Sequence, residues 1–315
     1  MADGPGRITL WGVEVFVATA EEASISAAAR RLGSSPATVS QQITNLEGVL
    51  GTVLLDRSTR PISPTAAGQL FLRRANAILN EAALARAELA SADYTRMTRL
   101  RLGIVEDFDA EVTPRLLAGM AETMPDCQFL LETGASHRLL DLLDQRALDI
   151  AVVAEGGALP DWVEVHPLLA EPFIAAVPKG AGSEMLRDMP LISYTTRHLM
   201  GRQIAAHLKS QQLNFSHRFE LDSYHAILAM VAEGTGWSIL TPLGWLRASR
   251  FRDKVDVMPL PFGTLSRRIS LMARKDLLGS VPGWVSGDLR SQIADAIVAP
   301  TTQEMPWLRD TMRVL

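Results

Sequence analysis

Two helical segments joined by a tight, glycine-bearing turn constrain the start of this chain more than any other feature. A helix that starts at Ser26, a plausible N-cap, ends at Gly33, and glycine suits the left-handed residue that follows a helix. Ser35 then caps the next helix, and Pro36 takes its first position, where a missing N–H does no harm. A further helix precedes them from Leu10. The pattern therefore predicts three helices within the first fifty residues.

The helix predicted from Pro36 to Leu50 has two different faces. Apolar residues recur at helical spacing and form one buried stripe: Val39, Ile43, Leu46 and Leu50. The opposite face carries side chains that can both donate to and accept from base edges: Thr38, Gln41, Gln42 and Asn45. A helix, a tight turn and a second helix with such a face are typical of a helix-turn-helix. The alternative is an ordinary three-helix unit whose polar face meets water.

A basic hairpin closed by Pro61 follows the apolar pair Leu54-Leu55. Such a hairpin is typical of a wing, and Arg57 and Arg60 would lie where DNA phosphates pass. Thr65 then caps a long helix.

The stretch from Phe16 to Gly68 resembles the winged helix-turn-helix of LysR-type transcriptional regulators. The resemblance rests on the ordered segments AAARRL, SPATVSQQITNLE, LGTVLLDR and PTAAG, and the remaining length and layout also fit the family. It implies a cytoplasmic regulator that forms a homodimer or homotetramer. Its partners would be a double-stranded DNA operator, a small-molecule effector and RNA polymerase. The residues expected at the DNA are Arg30, Arg31, Ser34, Ser35, Pro36, Thr38, Gln41, Gln42, Arg57 and Arg60.

The charge balance does not indicate DNA by itself. The chain has 31 Lys and Arg against 35 Asp and Glu, a net charge of −4 at pH 7. Where the family usually has a basic residue after the serine of its recognition helix, this chain has Gln41, and no Lys or Arg lies between Arg31 and Arg57. Phosphate contacts would then fall to four arginines, hydroxyls and helix N-termini, which predicts a shallow salt dependence.

Residues 66–92 predict a long linker helix with an apolar stripe rich in alanine. The small alanines allow another helix to approach closely. The alternative is that the stripe packs on the chain's own body. The resemblance favours a partner copy, with a dimer seam formed by Phe71, Ile78, Ala82 and Leu89.

After residue 93, short apolar strands alternate with helical patterns, as in parallel βαβ units. The predicted fold class is therefore α/β behind an all-α winged helix-turn-helix. The effector part would consist of two Rossmann-like α/β lobes of the periplasmic-binding-protein type, and the chain would pass between the lobes twice. The expected domains are residues 1–65 for DNA binding, 66–92 for the linker and 93–315 for the effector, with lobe I at about 93–170 and 276–315 and lobe II at about 171–275.

Folds of this kind bind small molecules between the lobes, at the carboxyl ends of strands. That rule selects eight candidate effector residues: Glu106, Asp107, Phe108, Ser136, Tyr194, Thr195, Asp222 and Ser223. Capping of the following helix is the alternative role for each hydroxyl, and interaction with a helix N-terminus is the alternative for Glu106 and Asp107. No Lys or Arg lies in these strand-end segments, so the carboxylates predict a cationic effector, with the Phe108 and Tyr194 rings available for cation–π contact. The alternative is that Glu106 and Asp107 face solvent and that the ligand is neutral, anionic or absent.

Other function classes find little support in the sequence. The P-loop, the dinucleotide fingerprint, the nucleophile elbow and the zinc-protease motif are all absent, so no catalytic residue, cofactor or metal is expected. The lone Cys127 permits no internal disulfide, which disfavours a peroxide sensor of that kind. The sequence also shows no signal peptide and no membrane-length apolar run. Two alternatives remain open: a small-molecule lyase or transferase on the two-lobed fold, and a solute-binding protein that is not secreted.

Overall fold

The structure is a computed structural model that describes residues 7–89, 97–216 and 218–315. The chain forms two compact units that divide near residue 93. No helix among the described residues is long and apolar enough to cross a membrane.

The first unit is a winged helix-turn-helix followed by a long helix. Its elements are α1 (Leu10–Glu22), α2 (Ile25–Arg31), α3 (Pro36–Leu50), β1 (Leu55–Asp56), β2 (Ser63–Pro64) and α4 (Ala66–Leu89). Gly33 has a φ of 60° in the turn between α2 and α3, as predicted. The Ser35 hydroxyl accepts a hydrogen bond from the Thr38 amide at 3.1 Å and caps α3. The predicted cap of α2 is wrong, because the Ser24 hydroxyl, not Ser26, accepts from the Ala27 amide at 3.3 Å.

The core of this unit includes the beginning of α4. The Phe71 ring meets the Phe16 ring edge-on with 5.3 Å between centroids, and Ala75 is fully buried in the same core. Gly68 lies so close to the wing that a Cβ there would collide with the Leu54 carbonyl oxygen. The Phe71 ring, which is predicted in the dimer seam, packs partly against the chain's own core and is half-buried there.

Lobe I of the second unit contains a six-stranded sheet. Its strands are β3 (Arg99–Ile104), β4 (Gln128–Thr133), β5 (Ile150–Ala154), β6 (Val163–Pro172), β12 (Ser266–Arg274) and β13 (Arg313–Val314), in the order β13-β6-β12-β5-β3-β4. Strands β3, β4 and β5 are parallel, and β12 runs antiparallel between β5 and β6. The helices of this lobe are α5 (Val112–Thr123), α6 (Ser136–Asp144), α10 (Val281–Ile293) and α11 (Ala299–Glu304).

Lobe II contains five short strands. They are β7 (Ile174–Pro178), β8 (Ile192–Tyr194), β9 (Phe219–Leu221), β10 (Ser238–Leu240) and β11 (Val255–Pro259). Strands β8 and β9 are parallel, β7 lies between β10 and β11, and a bridge from Leu191 to Trp237 connects the two groups. The helices are α7 (Leu199–Ser210), α8 (Tyr224–Ala232) and α9 (Pro242–Arg247).

The two crossings between the lobes differ from the prediction in one respect. Strands β6 and β12 both belong to the lobe I sheet and pair with each other along their length. Lobe II therefore lies between β6 and β12, at residues 173–265, which agrees with the predicted start at about 171, whereas the predicted end at about 275 lies after β12. The reason is that β12 is a full strand of the first sheet rather than a connection between lobes.

Candidate functional site

The exposed face of α3 in the first unit presents amides and hydroxyls. Thr38, Gln41 and Asn45 are exposed along one face, and the Gln41 amide donates to the Asn45 side-chain oxygen at 2.8 Å. This bond orients both amides and leaves an oxygen on Gln41 and an N–H pair on Asn45 for other partners. Gln42 is half-buried, and its amide oxygen lies beside Gly12 of α1. The structure therefore makes Gln41 the more accessible of the two glutamines.

The four arginines expected at phosphates differ in their surroundings. Arg57 contacts Glu47 of α3 at 2.7 Å, and the other Glu47 oxygen accepts from the Leu54 amide at 2.8 Å. Arg31 contacts Glu21 and Glu22 of α1 at 2.8 and 3.3 Å.

Arg30 and Arg60, by contrast, are exposed and have no carboxylate within salt-bridge distance in the described part of the chain. They are therefore the cations most available to a phosphate, whereas Arg31 and Arg57 are already held by acids. Ser34 is half-buried in the turn, and Ser35 and Pro36 are exposed at the N-terminus of α3.

A cavity of about 120 Å³ lies between the two lobes of the second unit. Lobe I lines it with residues that follow β3 and β4, and lobe II lines it with residues at the ends of β8 and β9 and the start of α7. The cavity thus lies at the carboxyl ends of parallel strands in both lobes, as the sequence predicts. Its lining residues are Val105, Glu106, Gly134, Ala135, Ser136, His137, Ala154, Tyr194, His198, Leu199, Met200, Gln203, Asp222, Tyr224 and Arg267.

A buried ion-pair network forms the base of this pocket. The Arg267 guanidinium donates to Glu171 at 2.8 Å, to Asp107 at 2.8 Å and to the Thr241 hydroxyl at 3.3 Å. The second Glu171 oxygen accepts from the Leu243 amide at 3.1 Å. Burial acts to lower the pKa of Arg267, but the two carboxylates raise it well above its usual value. Burial raises the pKa of Glu171 while Arg267 opposes that rise. The network joins the crossing strands to a loop from each lobe.

The carboxylates predicted at the cleft therefore have arginine partners that the strand-end segments did not indicate. Asp107 is occupied by Arg267. Glu106 lies 3.5 Å from Arg247, and Asp222 lies 3.9 Å from Arg197. The strand-end segments themselves contain no arginine, but β12 supplies Arg267, α9 supplies Arg247 and the loop between β8 and α7 supplies Arg197.

The other predicted effector residues have different positions. Ser136 lines the pocket, and its hydroxyl oxygen accepts from the Ala154 amide at 3.0 Å. Tyr194 lines the pocket and donates to the Asp222 carbonyl at 2.9 Å. Burial, then the charges of Asp107 and Glu106, raise the pKa of Tyr194 to about 12, so it is a neutral hydrogen-bond donor at pH 7.

Three predicted residues face other parts of the protein. Phe108 is 1% exposed, so its ring belongs to the core of its lobe and is not available for cation–π contact. The buried Thr195 hydroxyl donates to Glu220 at 2.7 Å and supports the loop after β8. Ser223 is the N-cap residue of α8 with no side-chain capping bond, and it lies outside the pocket lining. None of these three residues lines the cavity in this structure, and for Phe108 and Thr195 the reason is that the side chain is buried in the protein.

Sequence reasoning missed several groups that the fold brings to the pocket. His137 and His198 come from different lobes, and their ring centroids are 5.5 Å apart. The Tyr194 ring packs edge-on against His198, with 5.8 Å between centroids. Burial and the nearby His137 lower the pKa of His198, so this imidazole is neutral at pH 7. Gln203 on α7 and Arg267 on β12 were also missed. Arg267 could have been suspected from the sequence, because it is a charged residue at the start of an otherwise apolar strand that connects the lobes.

Family models match most of the chain. A model of the bacterial regulatory helix-turn-helix protein of the lysR family matches residues 10–69, and a model of the LysR substrate binding domain matches residues 95–281. The chain belongs to the LysR family. It is a DNA-binding transcription regulator with an effector-binding domain, and the resemblance inferred from the recognition helix and wing is confirmed. The enzyme and solute-binding alternatives are set aside, because the matched models and the similar proteins are those of regulators.

Individual relatives agree with this membership. The chain is 34% identical over 211 residues to a probable hydrogen peroxide-inducible genes activator of Mycobacterium avium, covering 64% of this chain and 68% of that one. It is 27% identical over 295 residues to the DNA-binding transcriptional dual regulator OxyR of Escherichia coli, covering 91% and 94%.

Solved structures share the fold. A variant of full-length OxyR from Pseudomonas aeruginosa matches with a TM-score of 0.67 and 23% identity, covering 90% of this chain and 95% of that one. Full-length CbnR in complex with its target DNA matches with a TM-score of 0.57 and 21% identity, covering 90% and 100%. LysR regulators bind DNA and small-molecule effectors and form oligomers, so the predicted fold class is confirmed, and so are DNA, a small-molecule effector and further copies of the chain as partner classes.

Proposed function

We propose that α3 and the wing bind an operator, and that a small molecule bound between the two lobes controls transcription from it. The proposal that a small molecule controls transcription rests on the cavity lined from both lobes, because a ligand bound there contacts both lobes at once. Because the operator is DNA of the cell that makes the regulator, we place the protein in the cytoplasm.

On the DNA side, Gln41 is the residue we assign to base recognition. It is exposed at the centre of α3, and its bond to Asn45 holds the amide in a fixed orientation. Thr38 and the N-terminus of α3, at Ser35 and Pro36, are placed to contact the phosphate backbone of the DNA. Arg30 and Arg60 supply the available positive charge. Arg57 keeps N–H groups beyond its bond to Glu47, and it contributes both to phosphate binding and to holding the wing against α3.

Replacing Gln41 with alanine tests this assignment. We expect Gln41→Ala to lose about 1–3 kcal/mol of binding free energy on an operator selected from random DNA, and less on unselected DNA. The reason is that an amide pairing with a base edge carries sequence information, whereas phosphate contacts do not. Fluorescence anisotropy at fixed salt measures both affinities.

Two further variants calibrate that result. Gln42→Ala is the matched control, and its half-buried side chain predicts a smaller loss of specificity. Arg60→Ala is expected to weaken selected and unselected DNA alike. Equal losses on both DNAs for Gln41→Ala would contradict the assignment of base recognition to Gln41.

For assembly, we propose that the exposed part of the α4 stripe forms the dimer seam. Because Phe71 packs partly on the chain's own core, the main candidates with described side chains are Ile78, which is 38% exposed, and Ala82, which is half-buried. The side chain of Leu89 lies outside the described residues.

Pairing of effector domains would extend a dimer to a tetramer. The edge strand β4 supports that second contact, because Leu130 and Leu131 are 37% and 39% exposed on it.

The response of this chain is assigned to the pocket and not to its thiol. Relatives named as peroxide-inducible activators raise the thiol as an alternative, but Cys127 precedes β4 and does not line the pocket. Burial, with the charge of Asp149, raises the pKa of Cys127 to about 11. Very little reactive thiolate is then present at pH 7, and the chain has no second cysteine to resolve an oxidised one.

A further inference from the structure

One residue that lines the pocket carries a hydrogen-bond acceptor without a donor in the described part of the chain. The amide oxygen of Gln203 is fully buried, and no donor in the described part of the chain reaches it. Gln203 lies on α7 and lines the cavity. A buried carbonyl without a partner is costly, so this atom favours a ligand that brings an N–H or O–H group.

Two carboxylates that line the cavity also favour a ligand with hydrogen-bond donors. Glu106 belongs to lobe I and Asp222 to lobe II, and both line the cavity. Their arginine partners are distant, at 3.5 and 3.9 Å, and both carboxylates are about 60% exposed. Ion pairs of that length and exposure are weak, so both groups keep oxygens available to a ligand.

Arg267 and His198 also line the pocket, but neither neutralises the Glu106 and Asp222 carboxylates. The Arg267 bonds go to Asp107, Glu171 and Thr241. The pKa of His198 is lowered by burial and by His137.

The N-termini of α6 and α7 also face the cavity and favour an acid group on one side of a ligand. The arrangement therefore suits a molecule with an amine at one end, and it accepts a carboxylate at the other.

We propose that the effector is a small primary amine, cationic or zwitterionic, whose ammonium group lies between Glu106 and Asp222. The Gln203 oxygen accepts one of its N–H bonds, and the Tyr194 ring lies beside the charge. Because the two carboxylates belong to different lobes, the ammonium group joins the lobes when it binds. Asp107 takes no part, since Arg267 holds it. This inference rests on the proposed effector role of the pocket and specifies the class of ligand.

Calorimetry on the full chain tests the class of ligand. The probes are a panel of primary amines that includes 1,4-diaminobutane, L-ornithine and L-lysine, with succinate as the acidic counterpart. We expect at least one amine to bind, and its affinity to fall about tenfold or more in Glu106→Gln and in Asp222→Asn, because each loses a charged acceptor. Glu122→Gln is the matched control, since it removes one negative charge from the exposed face of α5. Added salt should weaken amine binding.

The outcomes separate this inference from the proposed function. Amine binding that is unchanged in both pocket variants, succinate binding without amine binding, or no binding by any amine would each overturn the amine assignment. Succinate binding that is lost on filling the cavity with Ala135→Trp would keep the pocket as the effector site while removing the amine. The proposed function fails on different grounds, namely a transcriptional response that persists in Ala135→Trp.

Discussion

Replacing Arg267 with methionine is expected to lower the free energy of unfolding by about 3–5 kcal/mol at pH 7.5. The substitution keeps the volume of the side chain but leaves Glu171, which is 0% exposed, and Asp107 facing each other without a cation. Urea unfolding followed by tryptophan fluorescence measures the loss.

The loss should shrink as the pH falls. Burial raises the pKa of Glu171, and without Arg267 nothing opposes that rise, so its folded-state pKa lies above its unfolded value and protonation stabilises the folded variant. That stabilisation is complete below the unfolded pKa and disappears as the pH rises through the folded pKa.

Arg268→Met provides the matched control on the neighbouring position of the same strand. The Arg268 side chain is 53% exposed and lies 3.5 Å from Glu155, so its loss should cost less than about 1 kcal/mol. Similar costs for the two variants, or an Arg267→Met deficit that does not diminish between pH 7.5 and 5.5, would contradict the account of the network. Glu171→Gln added to Arg267→Met should recover part of the loss, because it removes one of the uncompensated charges.

Replacing Ile78 with aspartate is expected to dissociate the α4 dimer. In the seam a charge would be buried against the partner helix without a compensating group, which costs several kcal/mol. Ile78 is 38% exposed within one chain, so the substitution leaves the fold of the winged helix-turn-helix intact. Sedimentation velocity on the full chain measures the change in assembly.

Gln69→Asp is the control for this experiment. Gln69 is exposed on the same helix nine residues earlier, which places it on the opposite face, and it gains the same charge. We expect the Gln69 variant to keep the assembly of the parent chain. An unchanged sedimentation coefficient for Ile78→Asp would instead place the α4 stripe outside the dimer contact.

Local signals in the sequence predicted the first unit well. Ser35, Pro36 and Gly33 define the turn and the start of α3 by backbone chemistry alone, and the predicted bounds of α3 match the structure. The cap of α2 was placed two residues late, since Ser24 and Ser26 are both plausible caps and only the hydrogen bond decides between them. The packing of Phe71 could not be predicted from the sequence of α4, because an apolar helical stripe does not show whether it packs on the chain's own core or on a partner helix.

The effector pocket was predictable in position and less so in composition. The rule that strands end at the cleft placed Glu106, Ser136, Tyr194 and Asp222 in the lining. It also selected Phe108, which faces the core. It could not select Arg267, because an antiparallel strand that follows Asp107 by 160 residues in the chain brings that side chain to the site. Long-range pairing is the information that a single sequence does not display.

The central claim is that this regulator is switched through the pocket between its lobes. The most direct measurement is reporter expression from an operator selected by the purified chain, in cells grown with different nitrogen and carbon sources and with added hydrogen peroxide. We expect the parent chain and Cys127→Ser to give the same changes between media and no change with peroxide. We expect Ala135→Trp, whose indole fills the cavity, to occupy the operator without responding. A response that persists in Ala135→Trp, or one to peroxide that disappears in Cys127→Ser, would contradict the claim.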